Sequence, residues 1–315
     1  MDQIALLASD ASHLPLLTVF RESGVSRKYG FDIDLHLVGD ALAPTMKHRS
    51  RLMLAGEIEF LSGLHHETYR QRANGEKRLI YLAQAQNNWD DRLLVSDKIS
   101  TVTDLAGKKI TCHAKAPCVR GNLFAVLESC GIPAADINIV AIEDKSGSYQ
   151  PYVNGVLSGE ADATLVDMPF DLYGQEKGLR IMELPDRPVI HNTTLLTSTD
   201  YAKDHEDVVI NFIKSFIEAV HFFKTRPAEV TAILKTHLRE RYGLEDDAYY
   251  AHLQKEWGRI LSVKPYPLPA AIQNVYDLDV AHDPKMQKIG AMEPWDLHYL
   301  RAVDDSGFID ELYGG

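Results

Sequence analysis

The sequence predicts an α/β protein folded in two lobes around a central cleft, with a hinge between them. Three observations predict it. Short apolar strands alternate with helices through the first 200 residues. Twice, a strand ends in a polar loop that opens a helix: IALLASDASHLPLLTVF, from Ile4 to Phe20, and DLAGKKITCHAKAPCVRGNLFAVL, from Asp104 to Leu127. In open α/β sheets ligands sit beyond the carboxyl ends of strands, against helix N-termini. Finally, 315 residues suffice for two cores. The expected first lobe is 1–94 with 197–315, and the second is 95–196. Leu93 to Val95 and Thr193 to Leu196 are the hinge candidates.

The elements follow in order. IALLAS is a strand and LPLLTVFRESGVSRKYG a helix that runs into a Gly-ended turn. FDIDLHLV alternates apolar and polar residues, as a half-buried strand does. MKHRSRLMLAGEIEFLSG gives a helix, a stop at Gly56 and a short strand ending at Ser62. Helix ETYRQRANG stops at Gly75, RLIYLAQA is a strand, and DRLLVS is expected beside it. The second lobe repeats the pattern, and LRIMELP and TTLLTS are expected to close it. From Asp200 on the chain is mainly helical. DVVINFIKSFIEAVHFFKT is amphipathic, and Pro227 opens the next helix. Pro265, Pro267 and Pro269 mark an exposed connection.

The composition narrows the function. With 33 basic and 45 acidic residues the formal net charge is −12, which argues against nucleic acid. A few basic residues in a cleft still bind a small anion on an acidic protein. No apolar run approaches the ~20 residues that span a bilayer. No signal peptide is visible. The expected location is the periplasm if an export signal has been removed, and the cytoplasm otherwise. Cys112, Cys118 and Cys130 form no disulfide framework and read as small buried hydrophobes. No C-x-x-C pair, H-E-x-x-H helix or cofactor motif is present, so no metal and no cofactor is expected.

The segments AGEIEFLSG, DLAGKKI, VNGVLSGEADATLVD and the helical run from Asp207 to Lys224 carry a family resemblance. The chain resembles the type II periplasmic solute-binding proteins, in the nitrate/sulfonate/taurine and thiamine-precursor (NMT1/THI5-like) branch, over almost its whole length. The resemblance implies a cleft that closes on a small molecule by hinge motion. Members of this branch bind oxyanions, sulfonates, or aromatic and heteroaromatic acids. The same fold also hosts enzymes, among them a pyrimidine synthase, decarboxylases, sulfinate desulfinases and lyases, so fold alone does not settle function. The synthase carries a cysteine cluster in its second half, and here no cysteine follows Cys130. The desulfinase carries a nucleophilic cysteine after its first strand. Here that loop is SDASHLP, which excludes thiolate chemistry at that place.

Candidate ligand-binding residues lie where predicted strands end. Ser9, Asp10 and His13 follow the first strand, and His13 is either a ligand contact or a simple polar turn residue. Ser62 precedes His65 and His66, whose side chains diverge if the backbone is extended, so at most one faces the cleft. Asn88 and Trp89 follow the strand YLAQAQ, and Trp89 stacks on an aromatic ligand or belongs to the core. In the loop HAKAPCVRGN, His113, Lys115 and Arg120 bring positive charge to a helix N-terminus. Arg120 suits a bidentate pair with a carboxylate or sulfonate, or pairs with a surface acid. Asp167 accepts from the ligand or caps the next helix. His191 lies just before the return to the first lobe.

The leading expectation is a solute-binding protein for a small organic anion, an aromatic or heteroaromatic acid or sulfonate, delivering it to an ABC transporter permease. The alternative is a cytoplasmic enzyme on the same fold, a decarboxylase or related lyase or hydrolase. In that case His13, His65, His66 and His113 are the candidate acid–base groups.

Overall fold

The computed structural model describes residues 1–113, 117–142 and 148–314, so Lys115 lies outside the described residues. The chain forms two compact units. The first comprises Met1–Asn88, Pro188–Leu234 and Trp257–Gly315; the second comprises Trp89–Arg187 and Lys235–Glu256. Each has its own five-stranded sheet.

In the first unit the strands are β1 (Asp2–Ala8), β2 (Phe31–Leu37), β3 (Phe60–Ser62) and β4 (Leu79–Gln84). In the second they are β5 (Arg92–Val95), β6 (Lys109–Thr111), β7 (Asn138–Val140), β8 (Ala163–Val166) and β9 (Arg180–Met182). β10 (Thr194–Ser198) returns to the first sheet. The orders are β2-β1-β3-β10-β4 and β7-β6-β8-β5-β9. In each sheet the strand that follows the crossing into that unit inserts antiparallel between two others: β5 between β8 and β9, β10 between β3 and β4. Its N-terminus therefore lies at the same sheet end as the C-termini of the parallel strands.

The helices are α1 (Leu14–Glu22), α2 (His48–Leu54), α3 (His65–Ala73), α4 (Pro117–Ser129), α5 (Gln150–Leu157), α6 (Phe170–Glu176) and α7 (Thr199–Asp204). After them come α8 (Glu206–Thr225), α9 (Pro227–Tyr242), α10 (Asp247–Ile260), α11 (Pro269–His282), α12 (His298–Asp305) and α13 (Phe308–Leu312). Among the described residues no helix is long and apolar enough to cross a membrane.

Period decides which faces are buried. In α8, Val209, Phe212, Ile213, Phe216, Ile217, Val220 and Phe223 recur at helical spacing and are all buried. Phe212 stacks on Phe60 of β3 with ring centroids 3.6 Å apart, and Phe20 of α1 meets Phe212 and Phe216 edge-on. Each such ring stabilises the fold by ~1.5–3 kcal/mol through burial. The second unit has a separate core built on Leu93, Val95, Ile110, Leu123, Leu127 and Leu165.

Several sequence expectations need correction. β4 and β5 are not neighbours: β4 pairs with β10, while β5 sits in the other sheet. TTLLTS does not close the second unit, because its register is with β3 and β4 of the first. Pro265 and Pro267 are buried rather than exposed; the carbonyl of Pro265 accepts the N–H of Gln84 at 2.8 Å and so covers the edge of β4. His65 and His66 are not in extended backbone. Leu64 takes a left-handed φ of 66°, which starts α3 one residue later.

Candidate functional site

The strand ends of the first unit gather a buried polar cluster. β1 delivers Ser9 and Asp10, β3 delivers Ser62, β4 delivers Gln84, and the segment entering β10 delivers His191, Asn192, Thr193 and Thr194. A single 3-10 turn, Ala11–His13, leads from β1 into α1. Asp10 caps it, accepting from the Ser12 N–H at 3.2 Å. This places His13 at the base of α1, buried to 4% exposure.

Hydrogen bonding fixes the proton on His13. The backbone N–H of Thr193 donates to its Nδ1 at 3.1 Å. A backbone N–H can only donate, so Nδ1 is bare and the proton sits on Nε2. Ser62 Oγ, 2.8 Å from the same nitrogen, therefore donates as well. Burial, the largest influence, holds the imidazole pKa down at about 4; Asp10 opposes this, while His191 and Arg49 add to it.

A second chain of bonds fixes His65. Gln84 directs its amide NH2 at the carbonyls of Gln86, His191 (2.8 Å) and Asn192 (3.1 Å), so its Oε1 faces the other way. That oxygen accepts the hydroxyl proton of Thr194. Thr194 has one proton to give, so its oxygen accepts from Nε2 of His65. His65 thus carries its proton on Nε2 and leaves Nδ1 bare. Its pKa is also held well below the usual histidine range, by burial first and then by His13, His66, His191 and Arg49. The two rings lie 6.4 Å apart between centroids.

The backbone around the pair is strained. Among the described residues, the non-glycine residues with positive φ are Leu64 (66°), Asn192 (37°) and Thr193 (41°), and all three lie close to these histidines. For a β-branched residue such as Thr193 this conformation is uncommon and costs ~1–3 kcal/mol. Gly63 has a φ of 114°, and a Cβ there would lie 2.4 Å from Ser9 Oγ and 3.2 Å from His13 Cε1. Only glycine lets β3 pass this close. Ser9 Oγ is buried and has no hydrogen-bond partner among the described residues.

The other expected residues are placed differently. His66 turns away from His65 and pairs with Asp279 of α11. Asn88 is exposed and forms an isolated bridge with Pro188. In the second unit, Trp89 packs against the core and gives its indole N–H to Asp91 at 2.7 Å. Arg120 is exposed on α4, its guanidinium 5.0 Å over the Phe124 ring. Asp167 accepts from the Tyr149 hydroxyl at 3.0 Å and does not cap α6, whose N-cap is Pro169 with no side-chain capping bond. His113 is half-buried beyond β6. Cys112 is buried, and burial pushes its thiol up to about 11, which makes it inert.

The sequence reading missed Gln84, Thr194 and Arg49, and, although it singled out Asn192 beside His191, it missed the positive φ of Asn192 and Thr193. Gln84 and Thr194 sit within strands and read as strand residues. Arg49 lies on a helix that reads as an ordinary surface helix.

Chemically, the pair offers neutral hydrogen bonding. Ser62 and His13 resemble a nucleophile and its base. However, Ser62 is fully buried, and the Nδ1 lone pair is already shared with the N–H of Thr193. Taking the serine proton would set two donors face to face, so the contact positions the ring rather than activating the hydroxyl.

The NMT1/THI5 like family profile matches residues 43–230, more than half of the chain. The chain belongs to this family. Its fold is that of the periplasmic binding proteins. A putative sulfonate ABC transporter, periplasmic sulfonate-binding protein SsuA from Methylobacillus flagellatus is similar at TM-score 0.67 and 16% identity, over 98% of this chain and 96% of that one. The periplasmic aliphatic sulphonate binding protein SsuA from Escherichia coli gives 0.68 and 14%, over 93% and 99%. A variant of the desulfurization enzyme DszB, solved with biphenyl-2-sulfinic acid, gives 0.69 and 14%, over 97% and 100%. No curated protein matches. At these identities the family member shares a fold with its neighbours, which include both binders and an enzyme.

Proposed function

We propose that this protein reversibly binds a small organic anion, an aromatic or heteroaromatic acid or sulfonate, as the solute-binding component of an ABC import system. The observation that carries the reading is the buried, neutral His13–His65 pair, its ring nitrogens anchored by Thr193 and Thr194. Groups locked in one tautomer and held far from their titration range suit ligand hydrogen bonding better than proton transfer at neutral pH. The names of the SsuA neighbours agree in kind, since they are described as sulfonate-binding. In this reading Ser9, His13 and His65 of the first unit contact the ligand, and Arg120 of the second unit is a separate candidate for its anionic group. A role in import places the protein in the periplasm, where it would deliver its ligand to a permease.

A thermal-shift screen of aromatic acids and sulfonates, followed by calorimetric titration of the hits, tests this. A ligand that binds only the folded state raises the melting temperature. Hits that bind wild type and lose affinity in His13→Gln support the reading. A full panel without a shift would contradict it.

A further inference from the structure

We propose that the His13–His65 pair selects a ligand edge that carries a hydrogen-bond acceptor beside a donor, as in a ring lactam (C=O next to N–H), over a second ionised oxyanion. This rests on the binding function proposed above and names the ligand class more narrowly.

The inference follows from where the two protons sit. His13 gives Nδ1 to the Thr193 N–H and the Ser62 hydroxyl, so Nε2 is N–H. His65 gives its Nε2–H to Thr194, because the one hydroxyl proton of Thr194 is committed to Gln84. Gln84 cannot flip, since its oxygen would then face the carbonyls of Gln86, His191 and Asn192. The bare nitrogen of His65 is therefore Nδ1. The anchored nitrogens of both rings are tied to consecutive residues, Thr193 and Thr194. In an imidazole the two nitrogens lie on nearly opposite sides of the ring, so the remaining pair, one N–H and one lone pair, both face away from that anchor. The rings are 6.4 Å apart between centroids.

One donor and one acceptor on neighbouring rings make an asymmetric reader. A carboxylate or sulfonate presents only acceptors, and its oxygen would face the lone pair of His65 with no proton between them. A lactam presents a carbonyl to His13 and an N–H to His65, satisfying both. Failing to satisfy a buried polar group is the larger penalty in such a site, which is how hydrogen-bonding sites discriminate strongly. Ser9 Oγ, buried and unpartnered among the described residues, lies beside Gly63 on the side that also faces His13 Cε1, and is a further donor available to the ligand.

Two measurements test this. The first uses long-range proton–nitrogen NMR correlations of the imidazole rings, assigned with His13→Gln and His65→Gln. Both rings should be neutral Nε2–H tautomers at pH 7. A proton on Nδ1 of either ring overturns the inference. The second compares two probes of similar shape by calorimetry: 6-oxo-1,6-dihydropyridine-3-carboxylate, a lactam with one carboxylate, and benzene-1,4-dicarboxylate. The lactam should bind about tenfold tighter or more, and Thr194→Val, which frees the His65 tautomer, should bring the two affinities together. Equal or tighter binding of the dicarboxylate, with both histidine signals moving, overturns the inference and leaves the binding function standing. If neither probe moves either histidine, both fall.

Discussion

The backbone N–H of Thr193 donates to Nδ1 of His13 at 3.1 Å across 180 residues of sequence. One residue lies at the base of α1, the other at the entry to β10. The bond fixes a tautomer, and the left-handed φ of 41° at Thr193 aims its N–H at the ring. Positive φ at a non-glycine residue is a cost that the surrounding structure must hold in place.

Acid should destabilise the protein through His13. Its pKa is about 4 in the fold against 6.5 for the free group, so the unfolded chain takes up the proton first as pH falls. Its contribution to stability is complete above about pH 6.5 and is lost as pH falls toward 4, amounting to about 2 kcal/mol at pH 5. His65 acts in the same direction. Urea midpoints of wild type at pH 7.5 and 5 should differ, and His13→Asn should narrow the gap. An unchanged gap would show that His13 is not the titrating group.

Gly63→Ala should cost about 3 kcal/mol, combining a φ of 114° with a Cβ placed 2.4 Å from Ser9 Oγ and 2.6 Å from Ser9 Cβ. Gly75→Ala is the control, because its φ is 98° and nothing lies within 4 Å of its Cβ position. It should cost only about 1 kcal/mol. Equal losses in chemical denaturation would remove the steric argument.

Gln84→Met should cost about 2–3 kcal/mol, because it leaves the carbonyls of His191 and Asn192 short of donors and the Thr194 hydroxyl with only its 3.4 Å contact to the Asn192 carbonyl. It should also release the His65 tautomer. Denaturation and imidazole NMR on the same variant check the two effects separately.

Arg120→Ala should weaken ligand binding by at least ~1.5 kcal/mol, the lower end for a charge-assisted bond. It should leave stability nearly unchanged, since the side chain is exposed and its contact is the Phe124 ring. Unaltered affinity in calorimetry would remove Arg120 from the binding residues.

The fold was readable in the sequence where local pattern decides it. Strand–helix alternation, the glycine stops and the apolar stripe of α8 are properties of neighbouring residues, and they gave the elements. Strand partnership was not readable. Placing DRLLVS beside RLIYLAQA is the natural reading of adjacent strands, yet β5 inserts into the other sheet and β10 takes the place beside β4. The site divided in the same way. His13 and His65 stood out as histidines at strand ends. Gln84 and Thr194, which decide what those histidines offer a ligand, read only as polar residues inside strands. Their role exists because β10 brings residues 192–194 against β4, a long-range contact with no local signal.

The most direct test of the account is to incubate the tightest-binding aromatic acid with the protein at neutral pH and to weigh the ligand by mass spectrometry after release. The account predicts recovery of the intact acid in stoichiometric amount with the bound complex. Loss of carbon dioxide, or any other turnover that disappears in His13→Gln or His65→Gln, would contradict it and establish an enzyme on this fold.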